Sequence, residues 1–428
     1  MKTRLANLWE KIHTSYWFVP TVIVGISIVL AFFLIWLDST IDRSGRPPMV
    51  LGFDLLYTGG TEGARELLST IAASFITIAG VTYSITVVAL SLASSQFGPL
   101  VLRNYMRSTG SQVVMGIFVG TFIYCLLILR ALENSSQDLQ FQLSVSFAVL
   151  LGLAGIYAFI YFIHHEAEFI HAEAVIHAAY SEMCSSIAHF YPETLSSGAQ
   201  PQIDAEEEPE IPQETGRSEF ILSTPKSGYV QAVDEPTLEA LADRHDLLLI
   251  LYAKAGDFLM PDAPLASCRS RSEPTDELKK KIIGAFLIGT RRTPEQDAEF
   301  TINELVQIAL RALSPSLNDP FTAMSCIEQL GAGLLILSDR KFPARRRFDA
   351  AGKLRIIARV SDFSWFVAVA FSQIARNCLP QEAVRKHLIS TLQTLSSRIE
   401  NPSRKSAVDQ MIAFVHSLTP PHKQSESV

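Results

Sequence analysis

Four apolar stretches, each about 20 residues long, crowd the first 163 residues, and this crowding restricts the fold more than any other feature of the chain. A hydrocarbon core about 30 Å thick takes roughly 20 apolar helical residues to cross, because only an internally hydrogen-bonded backbone tolerates lipid. The first stretch runs from about Trp17 to Leu37, carries no charge, and ends with Trp36 placed for the headgroup region. A signal peptide is the competing reading, but the run is long and no small-x-small cleavage site follows it. The second belongs to a stretch from Leu67 to Leu102 that holds no Lys, Arg, Asp or Glu. As one helix it would measure about 54 Å, too long for the core, so it is expected to leave the bilayer near Ser94 and to break around Gly98-Pro99. The third runs from about Gln112 to Leu132, with Arg130 near its end where the stem snorkels, and the fourth from about Phe141 to Ile163.

Lys and Arg in short connections are retained on the cytosolic side. Lys2, Arg4 and Lys11 precede the first span, and Arg103 and Arg107 lie between the second and third without an acidic residue. The connection from Asp38 to Glu66 holds five acidic residues against Arg43, Arg46 and Arg65, and the third connection holds Glu133 and Asp138. Both termini are therefore expected in the cytosol. Asn134-Ser135-Ser136 matches a glycosylation sequon, a short and common match of little weight.

The second span carries the most information. Thr70, Ser74, Thr77, Val81, Ser84, Val88, Ser91 and Ser95 follow a strict four-three spacing, which sets them on one seam of a helix that packs or supercoils with partners. Hydroxyls are cheap in lipid because each bonds its own backbone, and small residues let helices approach closely, so the seam serves packing within one subunit. It equally serves as the lining of a polar, uncharged pathway built from several copies, with Val81 and Val88 as apolar constrictions. Ala73, Gly80, Thr77 and Ser84 add a small-residue face under either reading.

Beyond Ile163 the composition becomes that of a soluble α+β domain. His164, Glu168 and His171 share one face of a helix expected to run to about His189, and Glu173 and His177 share another. A polar juxtamembrane helix accounts for them; a metal site would need more converging ligands and an oriented outer shell, and H-E-x-x-H is absent. Pro, Gln, Ser and Glu dominate from about Leu195 to Glu219, a composition too polar to fold. Strand-like runs follow at Glu219–Leu222, Gly228–Val233 and Leu247–Tyr252, and a further strand is expected from about Ile282 to Arg291. Ala255-Gly256-Asp257-Phe258-Leu259 with Pro264-Leu265-Ala266 resembles the turn of the barrel-sandwich domains of biotinyl and lipoyl carriers, without their modifiable Met-Lys-Met. From there helix is expected to about Ser417.

The densest chemistry lies in Arg291, Arg292, Asp297, Arg311, Asn318 and Asp319. Asp319 before Pro320 marks a helix start. Either Arg311 and Asp297 hold a structural turn, or a helix N-terminus beside three arginines binds an anion. Five scattered cysteines without C-x-x-C give neither a disulfide framework nor a zinc ribbon, and a net charge of −7 gives no support to nucleic-acid binding. No G-x-S-x-G, Walker loop, dinucleotide fingerprint or kinase set is present, so no enzyme, no cofactor and no metal centre are expected.

The expected organisation is a four-helix transmembrane domain over 1–163, a juxtamembrane helix over 164–194, an acidic linker over 195–218, a β-rich part with barrel or sandwich character over 219–292, a helical part over 293–418 and a tail over 419–428. The run Ser84-Ile85-Thr86-Val87-Val88-Ala89-Leu90-Ser91 through Gln96-Phe97-Gly98-Pro99, the Ile163-His164-His165 exit, Gly228-Tyr229-Val230, and Ala309 to Pro315 ahead of Asn318-Asp319-Pro320-Phe321-Thr322-Ala323 resemble the bacterial predicted membrane proteins of unknown function, family twenty-two fifty-four. That resemblance implies the bacterial inner membrane and no assigned activity. The expected partners are the lipid bilayer, further copies of the chain and an unidentified cytosolic ligand or ion. The expected function is an oligomeric channel or passive pathway lined by the second span, with a non-conducting scaffold or sensor as the alternative.

Overall fold

The computed structural model describes residues 17–44, 60–98, 109–133, 141–169, 171–192, 218–294 and 296–418, and the chain divides into two compact units, Met1–Val175 and Ile176–Val428. The basic clusters at Lys2 to Lys11 and Arg103 to Arg107, the sequon, most of the acidic linker and the tail lie outside the described residues.

The first unit is built on α1 (Phe18–Ser44), α2 (Thr61–Phe97), α3 (Thr109–Glu133) and α4 (Gln142–Phe169). Each apolar stretch became a helix because nothing inside it competes for the backbone. α1 and α4 run past the expected ends at Leu37 and Ile163, since a helix need not stop where lipid would. α2 has 37 residues and a length of about 55 Å. It ends at Phe97 because Gly98 takes φ 103°, open only to a residue without Cβ, so the break falls where the sequence placed it.

α3 packs against α1, α2 and α4. Close approach depends on glycine: a Cβ on Gly116 would stand 2.6 Å from Ile23 Cδ1, one on Gly120 would stand 2.6 Å from Ser27 Oγ, and one on Gly155 would overlap the Phe75 ring. One apolar layer holds Leu68, Tyr124, Ile128 and Val145, and the next Phe75, Val114, Phe118 and Phe162. Phe75 and Phe118 meet edge-on with centroids 5.8 Å apart.

Asp38, near the end of α1, is buried. Its carboxylate accepts from Leu143 N at 3.1 Å, Ser144 N at 3.0 Å and Ser144 Oγ at 2.6 Å, while Tyr124 donates its hydroxyl to the Ser144 carbonyl at 2.8 Å. The first N–H groups of a helix have no partner within it, so here a carboxylate from another helix caps α4.

α5 (Ala172–Phe190) follows a bend at His171, so the single helix expected from His164 to His189 is divided. Next come β1 (Ser218–Ser223), β2 (Gly228–Val233), α6 (Glu235–Arg244), β3 (Leu248–Leu251), β4 (Phe258–Leu259), β5 (Pro264–Ser270), α7 (Asp276–Gly284) and β6 (Phe286–Gly289). The remainder is α8 (Ala298–Ala312), α9 (Pro320–Ser338), β7 (Arg346–Phe348), β8 (Leu354–Ile357), α10 (Phe363–Asn377), α11 (Glu382–Arg398) and α12 (Pro402–Ser417). One sheet has the order β1-β5-β3-β8-β7, antiparallel except for β3 beside β8, and a second has β4-β2-β6. Their shared core includes Val230, Leu249, Leu265, Ile282 and Ile356.

The strand expected over Ile282 to Arg291 starts four residues later. Thr275 accepts from Leu278 N and Asp276 and Glu277 fill the first turn, so α7 claims Ile282 and leaves Phe286–Gly289 to the sheet. Likewise the helical region is interrupted by β7 and β8, which return to the edge of the first sheet.

Among the described residues five helices are long and apolar enough to cross a membrane: four in the first unit, and Pro320–Ser338. This fifth, α9, packs against α8, α10 and α11, with Gly331 closed on Thr391 and Gly333 on Met183. A helix apolar all round is the mark of a core helix or of a span, and α9 has neighbours on three sides.

Candidate functional site

Among the described residues, the seam of α2 and a charged cluster in the C-terminal unit bear most directly on function. The first is the seam of α2. Thr70, Ser74, Thr77, Val81, Ser84, Val88, Ser91 and Ser95 are all exposed. The face that meets the bundle is a different four-three series, running through Leu68, Phe75, Ala79, Thr82, Thr86 and Ala93. Ser84 stands nine residues beyond Phe75, which at 100° per residue is half a turn round, so the seam points directly away from its own subunit. Thr70 and Thr77 turn their hydroxyls back to the carbonyls of Glu66 and Ala73, both at 2.8 Å, and Ser95 to Leu92 at 2.8 Å. Ser74, Ser84 and Ser91 have no hydrogen-bond partner among the described residues. The bundle is therefore held by its alanine and phenylalanine face, and the seam takes no part in packing within the subunit.

The second place is a charged cluster in the C-terminal unit. Lys254 and Asp257 flank the turn after β3, Arg292 follows β6, Asp297 caps α8, Glu299 lies in its first turn, and Arg359, Ser361 and Trp365 come from β8 to α10. Gly256, at φ 93°, brings its backbone so close that a Cβ would overlap the Asp297 carboxylate. Arg292 grips Asp297 with two bonds, Nε to Oδ2 at 2.5 Å and Nη2 to Oδ1 at 3.1 Å, and reaches Glu299 at 3.6 Å. Lys254 pairs with Glu299, donates to Ser361 Oγ at 2.5 Å, and lies 5.5 Å from the Trp365 ring centre. Ser361 donates to Glu299 at 2.8 Å, and Arg359 binds Asp257 at 3.1 Å. A lysine and a serine this close can form a nucleophile and its base. Here the lysine is ion-paired to Glu299, and the arrangement joins three chain segments as a latch.

Burial raises the Glu299 carboxyl, but the hydrogen bond and charge of Lys254, with Ser361 and Trp365, outweigh it and hold the group below the usual glutamate range. Burial raises Asp297, and Arg292 only partly offsets it, so that carboxyl sits above its usual range. The signs differ. Glu299 stabilises the fold above its ordinary value of 4.5 and loses that contribution as pH falls through its lower folded value. Asp297 instead favours the fold below its ordinary 3.8 and loses that as pH rises through its higher folded value. Glu299→Gln is thus expected to flatten the acid limb of stability below about pH 4.5, read as amide exchange of α8 against pH; an unchanged limb would remove Glu299 from this role.

The structure brings Arg292 and Asp297 together and disperses the other residues singled out with them. Arg291 is exposed, and its carbonyl accepts from Gln231 at 2.9 Å. Arg311 lies in the last turn of α8 and Asp297 at its first, about 21 Å apart, so they hold no common turn and three arginines do not surround one helix start. Asn318 takes φ 46° and accepts from Gln381 at 3.0 Å, and Asp319 caps α9 through Thr322 N at 3.1 Å and Thr322 Oγ1 at 2.6 Å. His164 and His171 are exposed, the side chain of Glu168 lies outside the described residues, and among the described residues no three His, Cys, Asp or Glu side chains gather as a metal would require.

Lys254, Glu299 and Ser361 were not foreseen, because their pairing spans about a hundred residues of chain. Asp38 and Glu166 were the acidic residues at the ends of two apolar runs, and that position was the available signal.

Several apolar helices with a C-terminal α/β unit define a multi-pass membrane protein. The family model described as "predicted membrane protein (DUF2254)" matches residues 13–394, and the chain belongs to that family. Uncharacterized proteins of Mycobacterium bovis and Mycobacterium tuberculosis are each 29% identical to it over 425 residues, covering 97% of this chain and 78% of theirs. No solved structure matches the chain.

Proposed function

We propose that the chain is a four-span inner-membrane protein with cytosolic termini, in which α2 helices from several copies line a channel or passive pathway and the C-terminal unit assembles or regulates the ring. The observation that supports this is the outward seam. Ser74, Ser84 and Ser91 present hydroxyls without an internal acceptor on the side of α2 that its own bundle leaves bare. Against acyl chains each has only its own helix backbone to turn to, whereas water or a neighbouring copy offers a partner in the orientation it holds. The reading includes no catalytic step. A non-conducting scaffold is the second reading, favoured by Thr70, Thr77 and Ser95, which already satisfy their hydroxyls and could pack copies together without water.

Purified protein reconstituted in a planar bilayer, with subunits counted by cross-linking, separates the two. Ser84→Leu is expected to cut flux about tenfold or more while leaving unfolding temperature and subunit number unchanged. Conductance that survives the substitution, or its absence under voltage, tension and pH change, would remove the channel.

A further inference from the structure

α1 carries a tryptophan at each end of its apolar run. Trp17 and Trp36 are 62% and 59% exposed. Their separation along the helix is about 28 Å, close to the thickness of a hydrocarbon core. Indole rings settle at the two lipid–water boundaries, so this pair marks where the bilayer begins and ends on the first unit.

Helix contacts carry both marks across the bundle. Gly116 of α3 closes on Ile23 of α1 and Gly120 on Ser27, so α1 and α3 run the same way and Phe118 is level with Gly25. Phe118 meets Phe75 of α2, and Phe75 closes on Gly155 of α4. α2 and α4 run the same way, since Ile71 meets Gly152 as Phe75 meets Gly155. α3 runs against both, since Leu68 groups with Tyr124 and Ile128 while Phe75 and Ala79 group with Val114 and Phe118. The step from Gly25 back to Trp17, taken onward from Phe75 and Gly155, arrives at Tyr83 and Ile163, both exposed, with His164 next in the chain. The step from Gly25 to Trp36 arrives at Ala64, Leu129 and Ser144, beside Arg65, Arg130 and the Asp38 carboxylate. Aromatic and charged residues thus fall at the same two levels on all four described helices, as a bilayer demands.

α2 therefore does not stay in lipid to its end. Residues 84–97 extend about 21 Å past the level of Trp17. The exit falls near Tyr83 rather than near Ser94, because composition registers the absence of charge and not the position of the rim. Along this stem Ile85, Val87, Val88 and Leu92 are exposed, Val88 most of all at 65%, and Ser84, Ser91 and Ser95 share its seam. Lipid gives apolar side chains no reason to associate, since it is as apolar as they are, whereas water does.

We propose that the stems of neighbouring copies converge in water beyond the bilayer and that the ring of Val88 side chains gates the pathway there, with Ser91 on its open side and Ser84 behind it. This rests on the channel reading and deepens it by placing the constriction outside the membrane. Val81 lies inside the level of Tyr83, where lipid surrounds the copies, so the hydrophobic drive to close falls on Val88. An apolar ring narrow enough to shed its water blocks ions without any charge, which suits a stretch holding no Lys, Arg, Asp or Glu from Leu67 to Leu102.

The test is the rate at which single cysteines react with a charged, membrane-impermeant methanethiosulfonate in the reconstituted full-length protein, read on the α2 peptide by mass spectrometry. Ser91→Cys is expected to react fast from the side on which α2 ends, and Ser84→Cys and Ser74→Cys about tenfold or more slowly. Adding Val88→Ser should bring Ser84→Cys up to the rate of Ser91→Cys and raise conductance. Equal rates at Ser84→Cys and Ser91→Cys without that change would overturn the gate, and so would a slow Ser84→Cys that Val88→Ser leaves slow. A Ser91→Cys as slow as Ser74→Cys would put the stem in lipid and overturn the gate with it. Conductance that persists while the rate contrast is missing sinks the gate alone, whereas a protein that never conducts sinks the channel reading and the gate together.

Discussion

Asp38→Ala is expected to cost the N-terminal unit roughly 3–5 kcal/mol, enough to lose most folded protein on extraction into detergent. The substitution strips acceptors from Leu143 N, Ser144 N and Ser144 Oγ together, at 3.1, 3.0 and 2.6 Å. In water such groups would find solvent; at a buried helix start each N–H left unmatched costs about 1–3 kcal/mol. Asp38→Asn keeps an acceptor and should cost about half as much, and Ser144→Ala, which removes the hydroxyl bond alone, about 1 kcal/mol. Ranked unfolding temperatures in one detergent check the series. Equal values for the unmodified protein and Asp38→Ala would mean that α4 does not depend on a carboxylate from α1.

Arg292→Ala should have the next largest effect, about 3 kcal/mol in the C-terminal unit at neutral pH. It leaves Asp297 buried beside Glu299 with its principal positive partner gone, and stranding one member of a buried pair costs about 3–5 kcal/mol. The lower end applies because part of the guanidinium reaches solvent. The penalty carries a pH signature. Asp297 already sits above its usual range through burial, and without Arg292 it rises further, so protonation relieves the strain. The variant's deficit should therefore be fully present at neutral pH and shrink as pH falls through the folded value of Asp297. Denaturant unfolding of the unmodified and substituted proteins across that range measures it. A deficit that stays constant with pH would show that the arginine acts by packing its stem rather than by its charge.

The four described helices of the first unit were legible because long uncharged runs leave the backbone one way to satisfy itself, and the end of α2 was legible because Gly98 is free to take φ 103°. The helix start at Asp319 was visible for a similar local reason, as a side chain that bonds an N–H group three residues on, whereas Asp297, read as holding a turn with Arg311, caps α8. The return of β7 and β8 to the first sheet was not visible. Three- and four-residue strands such as Arg346–Phe348 and Leu354–Ile357 carry too few alternations to declare themselves among helices, and β8 is strand only because Leu249 and Ile250 lie beside it. The anion reading of Arg291, Arg292 and Arg311 came from nearness along the chain, which α8 converts into distance.

The seam shows the division between the two sources. Spacing alone placed Thr70 to Ser95 on one side of α2, since a helix maps number to angle. Which side meets the bundle depended on a second series, Leu68, Phe75, Ala79 and Ala93, matched to glycines on α4 and a phenylalanine on α3. The same holds for the Ser111 hydroxyl that donates to the Glu166 carboxylate and for the charged latch. The sequence supplied Glu166, Ser111, Lys254 and Glu299 as isolated polar residues, and tertiary packing gave them neighbours. Periodicity and propensity are properties of contiguous chain, whereas a contact between residues 55 or 45 positions apart arises only when burial of apolar surface chooses which helices and strands lie side by side.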